Sequence, residues 1–325
     1  MQAGVSFAAP NANPANIVTQ ARPFSGFANE NLDSDTLSSN YNALQVQLRR
    51  NVGRLSLEAN YTWSHEIDDL VNVFGGWSDP LNPGLDRGSG DWDVRHNLTA
   101  SAVYSLPELK NSNSFARAAL GGWQTSTILQ TRSGLPANVQ LISGFFGIPM
   151  RPDYISGQPL YLSSVHWPDA SFNNAQHVNN GVGAGIGAFQ LESNYDGTWG
   201  NVIGNVGRNA VRGPAFFQWD WSVMKDFRVT ERLKLQFRAD LFNILNHPNF
   251  GPPDAGICTT VQPTTARFGA GCYNIVTDPA TGQQSPIPAL NANFGRVGQT
   301  IADVNGSQIG TGTARQTQFA LKLMF

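Results

Sequence analysis

Few residues in this 325-residue chain are placed to do chemistry together. The histidines, His65, His96, His166, His177 and His247, are scattered. His65 and His96 lie near Asp68, Asp69, Asp91 and Asp93, a set that would suit a cation or a sugar. The plainer reading, and the favoured one, is a solvated acidic loop. Ser64 and His65 are adjacent, so in an extended chain they project to opposite faces and do not form a nucleophile–base pair. No Gly-x-Ser-x-Gly elbow occurs. Gly183-Ala184-Gly185-Ile186-Gly187-Ala188 matches a loose dinucleotide fingerprint but lacks the preceding strand and following helix that the mechanism needs. Asn60-Tyr61-Thr62 and Asn97-Leu98-Thr99 match a glycosylation sequon inside strand-like runs, and chance explains both. Cys258 and Cys272 share one Gly/Pro/Thr-rich stretch; a loop disulfide in an oxidising compartment fits them, with two unpaired thiols as the alternative. Zinc would need more ligands. The expectation is a protein without catalytic activity, cofactor or metal.

The charges with a clear spacing are Arg49, Glu58, Asp220, Lys234, Arg238, Asp240 and Lys322. Each falls on the polar parity of a run that alternates polar and apolar residues. Alternation with period two is the signature of a β-strand with unlike faces. The spacing predicts about seven long strands. The first, Tyr41 to Arg50, sets Leu44, Val46 and Leu48 against Gln45, Gln47 and Arg49. The short link Asn51-Val52-Gly53 leads to a second, Arg54 to His65, with Leu55, Leu57, Ala59, Tyr61 and Trp63 on one face. A third runs from Asn97 to Leu106, stopped by Pro107. The fourth is Trp123 to Arg132, with Thr125 and Thr127 interrupting its apolar face. The fifth, Phe216 to Phe227, carries Phe217, Trp219, Trp221 and Val223 opposite Gln218, Asp220 and Ser222. The sixth, Leu233 to Leu241, alternates without fault. The last reaches the C-terminus with Phe319, Leu321, Leu323 and Phe325 on one parity.

Composition agrees with a membrane wall of strands. Charged residues are 14 % of the chain, against roughly 25 % in ordinary soluble domains. No apolar run approaches the ~20 residues of a spanning helix. The net charge of −2 gives no basic face for nucleic acid, so no nucleic-acid partner is expected. Residues 1–38 read as an irregular loop or strand remnant, and residues 39–325 as barrel. Tight or modest links (51–53, 107–121, 228–232) alternate with long loops (66–94, 133–215, 246–313). That alternation fits an antiparallel transmembrane β-barrel with short periplasmic turns and long extracellular loops. Strands of nine to twelve residues, ending in aromatics, match the roughly 9–11 needed to cross a bilayer. On this reading the seven charges face the lumen, pairing across strands or meeting a passing substrate. Phe319, Leu321, Leu323 and Phe325 form the closing strand and its membrane-assembly signal. An odd number of strands that starts at the cell surface is an incomplete barrel, so an upstream segment is expected to supply the rest. No signal peptide is visible at Met1.

The segments behind this reading also resemble a known family. Ser39-Asn40-Tyr41-Asn42-Ala43-Leu44-Gln45-Val46, Ala59-Asn60-Tyr61-Thr62-Trp63-Ser64-His65 and Asp93-Val94-Arg95-His96-Asn97 are similar to the C-terminal barrel of Oar-like TonB-dependent receptors. So are Gly207-Arg208-Asn209, Arg212-Gly213-Pro214 and Phe237-Arg238-Ala239-Asp240-Leu241-Phe242-Asn243-Ile244-Leu245-Asn246-His247-Pro248. The likeness covers about residues 20–325 in order. It implies a barrel of roughly 22 strands around a plug, importing a bulky substrate with energy from TonB. The implied partners are outer-membrane lipid, the barrel-assembly machinery, upstream plug and barrel strands, and TonB through the plug region. The chain departs from the family pattern in carrying no TonB-contacting segment, regulatory domain or plug. The alternative is a structural or adhesive outer-membrane protein without active transport.

Overall fold

In the computed structural model, residues 37–69, 82–111, 113–140, 151–162, 166–169, 172, 188–190 and 204–257 are described, with 262–264, 267–271, 273–277, 279, 284–288, 291, 293–301 and 314–325. Seven long strands make one antiparallel meander: β1 (Ser39–Val52), β2 (Leu55–Asp68), β3 (His96–Ser105), β4 (Trp123–Arg132), β5 (Phe216–Arg228), β6 (Lys234–Phe242) and β7 (Gln316–Met324). Each pairs with the next in chain order, and a two-residue strand, Gly88–Ser89, pairs with the end of β2. The sheet is open: among the described residues neither β1 nor β7 has a partner on its outer edge.

Register carries one parity across the whole sheet. Arg49 faces Glu58, Glu58 faces Ser101, and Ser101 faces Ile128. Ile128 faces Asp220, Ser222 faces Asp240, and Gln236 faces Lys322. Directly opposed residues share a face, so the polar parities of all seven strands fuse into a single polar surface. The other parity is a continuous apolar surface. There Leu44 faces Trp63, Tyr61 faces Leu98, Phe237 faces Leu321 and Ala239 faces Phe319. Among the described residues little covers it: Leu44, Leu48, Tyr104, Trp221, Phe319 and Leu321 are all exposed, Leu321 by 71 %. An apolar surface of this extent, uncovered across seven strands, is not that of a soluble domain.

Local chemistry sets the turns. Gly53, at φ +58°, takes the left-handed conformation that a two-residue β1–β2 hairpin requires. Between β5 and β6, Thr230 Oγ1 accepts the Leu233 N–H at 3.1 Å. The link 107–121, expected to be only polar, contains a short helix α1 (Ser114–Leu120). Asn113 caps it by accepting the Ala116 N–H at 2.7 Å. Two turns are too short to establish a helical period in sequence.

The larger departure lies at the opposite end of the sheet. The stretch 133–215, expected to be irregular, holds two small antiparallel pairs. Pro136–Ala137 joins Val211–Arg212, and Asp153–Tyr154 joins Phe189–Gln190. With part of 246–313 it forms a small apolar core in which Val139, Phe172, Val211 and Phe294 are fully buried. Phe172 packs on Phe294 at 5.5 Å between ring centroids and on Trp167 at 5.7 Å. The buried apolar cluster is therefore in the loops, not behind the sheet.

Candidate functional site

The loops after β2 and β4 and before β5 meet over the ends of those strands, tied by buried ion pairs. Asp93, 2 % exposed, is the hub of one cluster. Its Oδ1 accepts the Glu66 N–H at 2.9 Å, and its Oδ2 accepts from Arg95 Nε at 2.8 Å and from Arg212 Nη2. The Arg212 Nη1 donates to the carbonyls of Asp93 (2.7 Å) and Gly134 (3.1 Å), which ties the β2–β3 loop to the chain leaving β4. His65 is held by the same hub. Arg95 can only donate, and its Nη2 lies 3.2 Å from His65 Nε2, so Nε2 accepts. Its Nδ1 is buried 3.4 Å from Asp93 Oδ2, without a hydrogen-bond partner among the described residues.

Two further arginines complete the layer. Arg208, 3 % exposed, pairs with Asp68 and lies 3.5 Å from Asp91. Its neighbour Asn209, at φ +56°, donates to Ser89 O and Asp91 Oδ1, both at 2.7 Å. Arg151, 2 % exposed, pairs with the fully buried Asp86 and donates to Leu85 O and Val206 O, each at 2.8 Å. Burial pushes the Asp93 carboxyl up. The Glu66 N–H, Arg95 and Arg212 outweigh it and hold the group below the usual carboxylate range. Burial raises the Tyr161 phenol despite the N–H of Arg212 that it accepts.

The favoured expectation of a solvated acidic loop is thus corrected for Asp68, Asp69 and Asp93, while Asp91 is exposed. Buried carboxylates need partners, and arginines from segments more than fifty residues away supply them for Asp68 and Asp93, as one does for Asp86. Asp69 instead accepts the Ser38 N–H at 2.8 Å. His96 does not join His65; its Nδ1 is 2.8 Å from the Tyr61 hydroxyl.

The alternating charges all fall on the polar face. Arg49 and Glu58 pair across β1 and β2 at 3.2 Å. Arg238 and Asp240 pair along β6 at 2.8 Å rather than across strands. Asp220 accepts from Gln218 at 3.0 Å and from the Asn243 N–H at 2.8 Å. Lys234 stands opposite Met324 and Lys322 opposite Gln236, so neither meets a carboxylate directly across the sheet. Phe319, Leu321 and Leu323 lie exposed on the apolar face, and Phe325 is 95 % exposed. Cys258 and Cys272, like Gly183 to Gly187 and His177, lie outside the described residues.

Sequence reasoning gave no role to Arg151, Arg208 or Arg212. The available signal was density: Arg208 and Arg212 sit four residues apart in a chain poor in charge, opposite a loop rich in aspartate. It also missed Lys225, which is on the apolar face of β5. Its Nζ donates to Gly121 O at 2.6 Å and lies over the rings of Trp123 and Phe227.

A family model described as an outer membrane beta barrel domain matches residues 2–316. No curated protein and no solved structure matches.

Proposed function

Because the chain belongs to the outer membrane β-barrel domain family, and so to the bacterial outer membrane, we propose that it forms the C-terminal wall of a TonB-dependent transporter. The polar face, with Arg49, Glu58, Asp220, Lys234, Arg238, Asp240 and Lys322, lines the lumen. The apolar face meets lipid. The loop layer lies at the cell surface and meets a bulky substrate. Lipid, the assembly machinery, upstream plug and barrel strands, and TonB through the plug are the proposed partners; catalysis is not part of the role.

The observation that carries this reading is the loop layer itself. Loops that only linked strands would have no need of buried ion pairs over an apolar core. Loops that must present one shape to a ligand do. The layer is also built from Asp93, Arg95, Arg208 and Arg212, all within segments that resemble Oar-like receptors. The free edges of β1 and β7 agree with a larger barrel, since unpaired strand edges are not tolerated in hydrocarbon.

Deletion of the gene in its native host, with complementation, tests the proposal. Uptake of labelled peptide and glycan pools would be followed with and without a protonophore. Energised transport predicts that deletion abolishes uptake of some component, and that the protonophore stops its entry while leaving surface binding. Entry that ignores both treatments would favour the structural or adhesive role.

A further inference from the structure

Arg132 closes β4 on the polar face, where register sets it opposite Asn97 and Phe216. It is half-buried, and its guanidinium lies over the Phe216 ring, 5.1 Å from the centroid. In contrast to Arg95, Arg151, Arg208 and Arg212, it has no carboxylate or carbonyl partner among the described residues. Stacking on a ring face leaves the guanidinium N–H groups free, because they point outward in its own plane.

Those donors border a pocket between the loop layer and the upper wall, lined also by Leu135, Pro214, Phe250 and Ile301. The backbone is closely packed along one side of the pocket. A Cβ at Gly134 would collide with the Gly213 carbonyl, and a Cβ at Gly213 would lie 2.8 Å from Pro253 Cδ. Arg212, the residue before Gly213, is held on Asp93 and on Gly134 O. The walls are mostly apolar, and their one cation has no counter-ion among the described residues. A small number of fixed polar groups in an apolar cleft is the usual composition of a ligand site.

We propose that this pocket, a partly open cavity of about 50 Å³, binds the carboxylate of an apolar organic acid whose body extends along the wall outside it, with the C-terminal residue of a peptide as the class. The carboxylate takes the free Arg132 donors, and the apolar body lies against Leu135, Phe250 and Ile301. The proposal needs only the wall and loops described above, and it is independent of whether uptake is energised.

The test uses the full-length protein in outer-membrane vesicles from its host, with N-acetyl-phenylalanine as probe and N-acetyl-phenylalanine amide as its neutral twin. Equilibrium dialysis should show saturable binding of the acid, with the amide weaker by about tenfold, the worth of a charge-assisted bond. R132Q should bring the acid down to the level of the amide, while R132K keeps part of the preference. Equal affinity for acid and amide in the unmodified protein would overturn the proposal, as would its failure to bind the acid saturably. Neither reading depends on a variant folding. An R132Q protein that keeps its heat-modifiable mobility and its full preference for the acid would overturn it too.

Discussion

At the scale of single residues, Asp86 and Asp93 decide whether the loops form a layer. A buried carboxylate is tolerable only while its partner stays in place. Arg151→Met strands Asp86, which is fully buried, and should destabilise the layer by about 3–5 kcal/mol. Asp86→Leu with Arg151→Met removes both charges and should recover much of that loss. Susceptibility of intact cells to surface proteolysis between residues 82 and 213 reads both; equal nicking of single and double variants would contradict this account. Asp93 gives the layer an acid limit. Its carboxyl in the folded protein titrates below the ordinary value of about 3.9. Such a group adds stability in full above the ordinary value, and that stability is lost as pH falls through the depressed one. Hydrogen exchange around residues 90–95 and 208–213 should therefore stay slow at mildly acid pH and quicken only below the usual carboxylate range. In Asp93→Asn it should be fast across the whole span.

At the scale of elements, the seven strands were legible because a period of two survives in every one of them. Their ends in the fold fall within about three residues of those the alternation predicts. The loop layer was not legible, for the opposite reason. Its contacts join Asp93 to Arg212 and Asp86 to Arg151 across 119 and 65 residues, and no local pattern carries such pairings. The helix at Ser114–Leu120 was lost through brevity, and Lys225 because a charge on an apolar parity breaks the very pattern used to find the strand. Face assignment itself yields a sharp test at mid-strand. Ala59 lies between Leu48 and Ala100 on the apolar face, and Asn60 between Gln47 and Thr99 on the polar one. Ala59→Arg should cost about 2–4 kcal/mol near the bilayer midplane, and Asn60→Arg far less. Leu235→Arg, next to the β5–β6 hairpin, should cost only about 0–1 kcal/mol, because the penalty falls towards the interface. Urea unfolding in lipid vesicles measures all three. Equal costs at residues 59 and 60 would mean that both faces meet the same medium.

At the scale of the whole molecule, the wall has little packing of its own to lose at its C-terminus. Phe325 is 95 % exposed, and Phe319 and Leu321 are exposed beside it. Of these, Phe319 has a described ring contact, with Phe237 at 6.3 Å. A terminal aromatic that buries almost nothing contributes almost nothing to the stability of the isolated sheet. Its place is explained by what surrounds the sheet: the membrane interface, where aromatic rings concentrate, or the machinery that inserts the strand. The two kinds of effect separate experimentally. Phe325→Ser should lower the amount of protein reaching the outer membrane several-fold. The fraction that arrives should melt on heated gels at the same temperature as the unmodified protein, since no described contact is removed. A fall in melting temperature with normal yield would place Phe325 in a packing contact, and the last strand would then act through stability rather than through recognition. Normal yield with normal melting would remove the assembly role from Phe325 altogether, leaving β7 to be specified by its pairing with β6 from Phe242–Gln316 to Lys234–Met324.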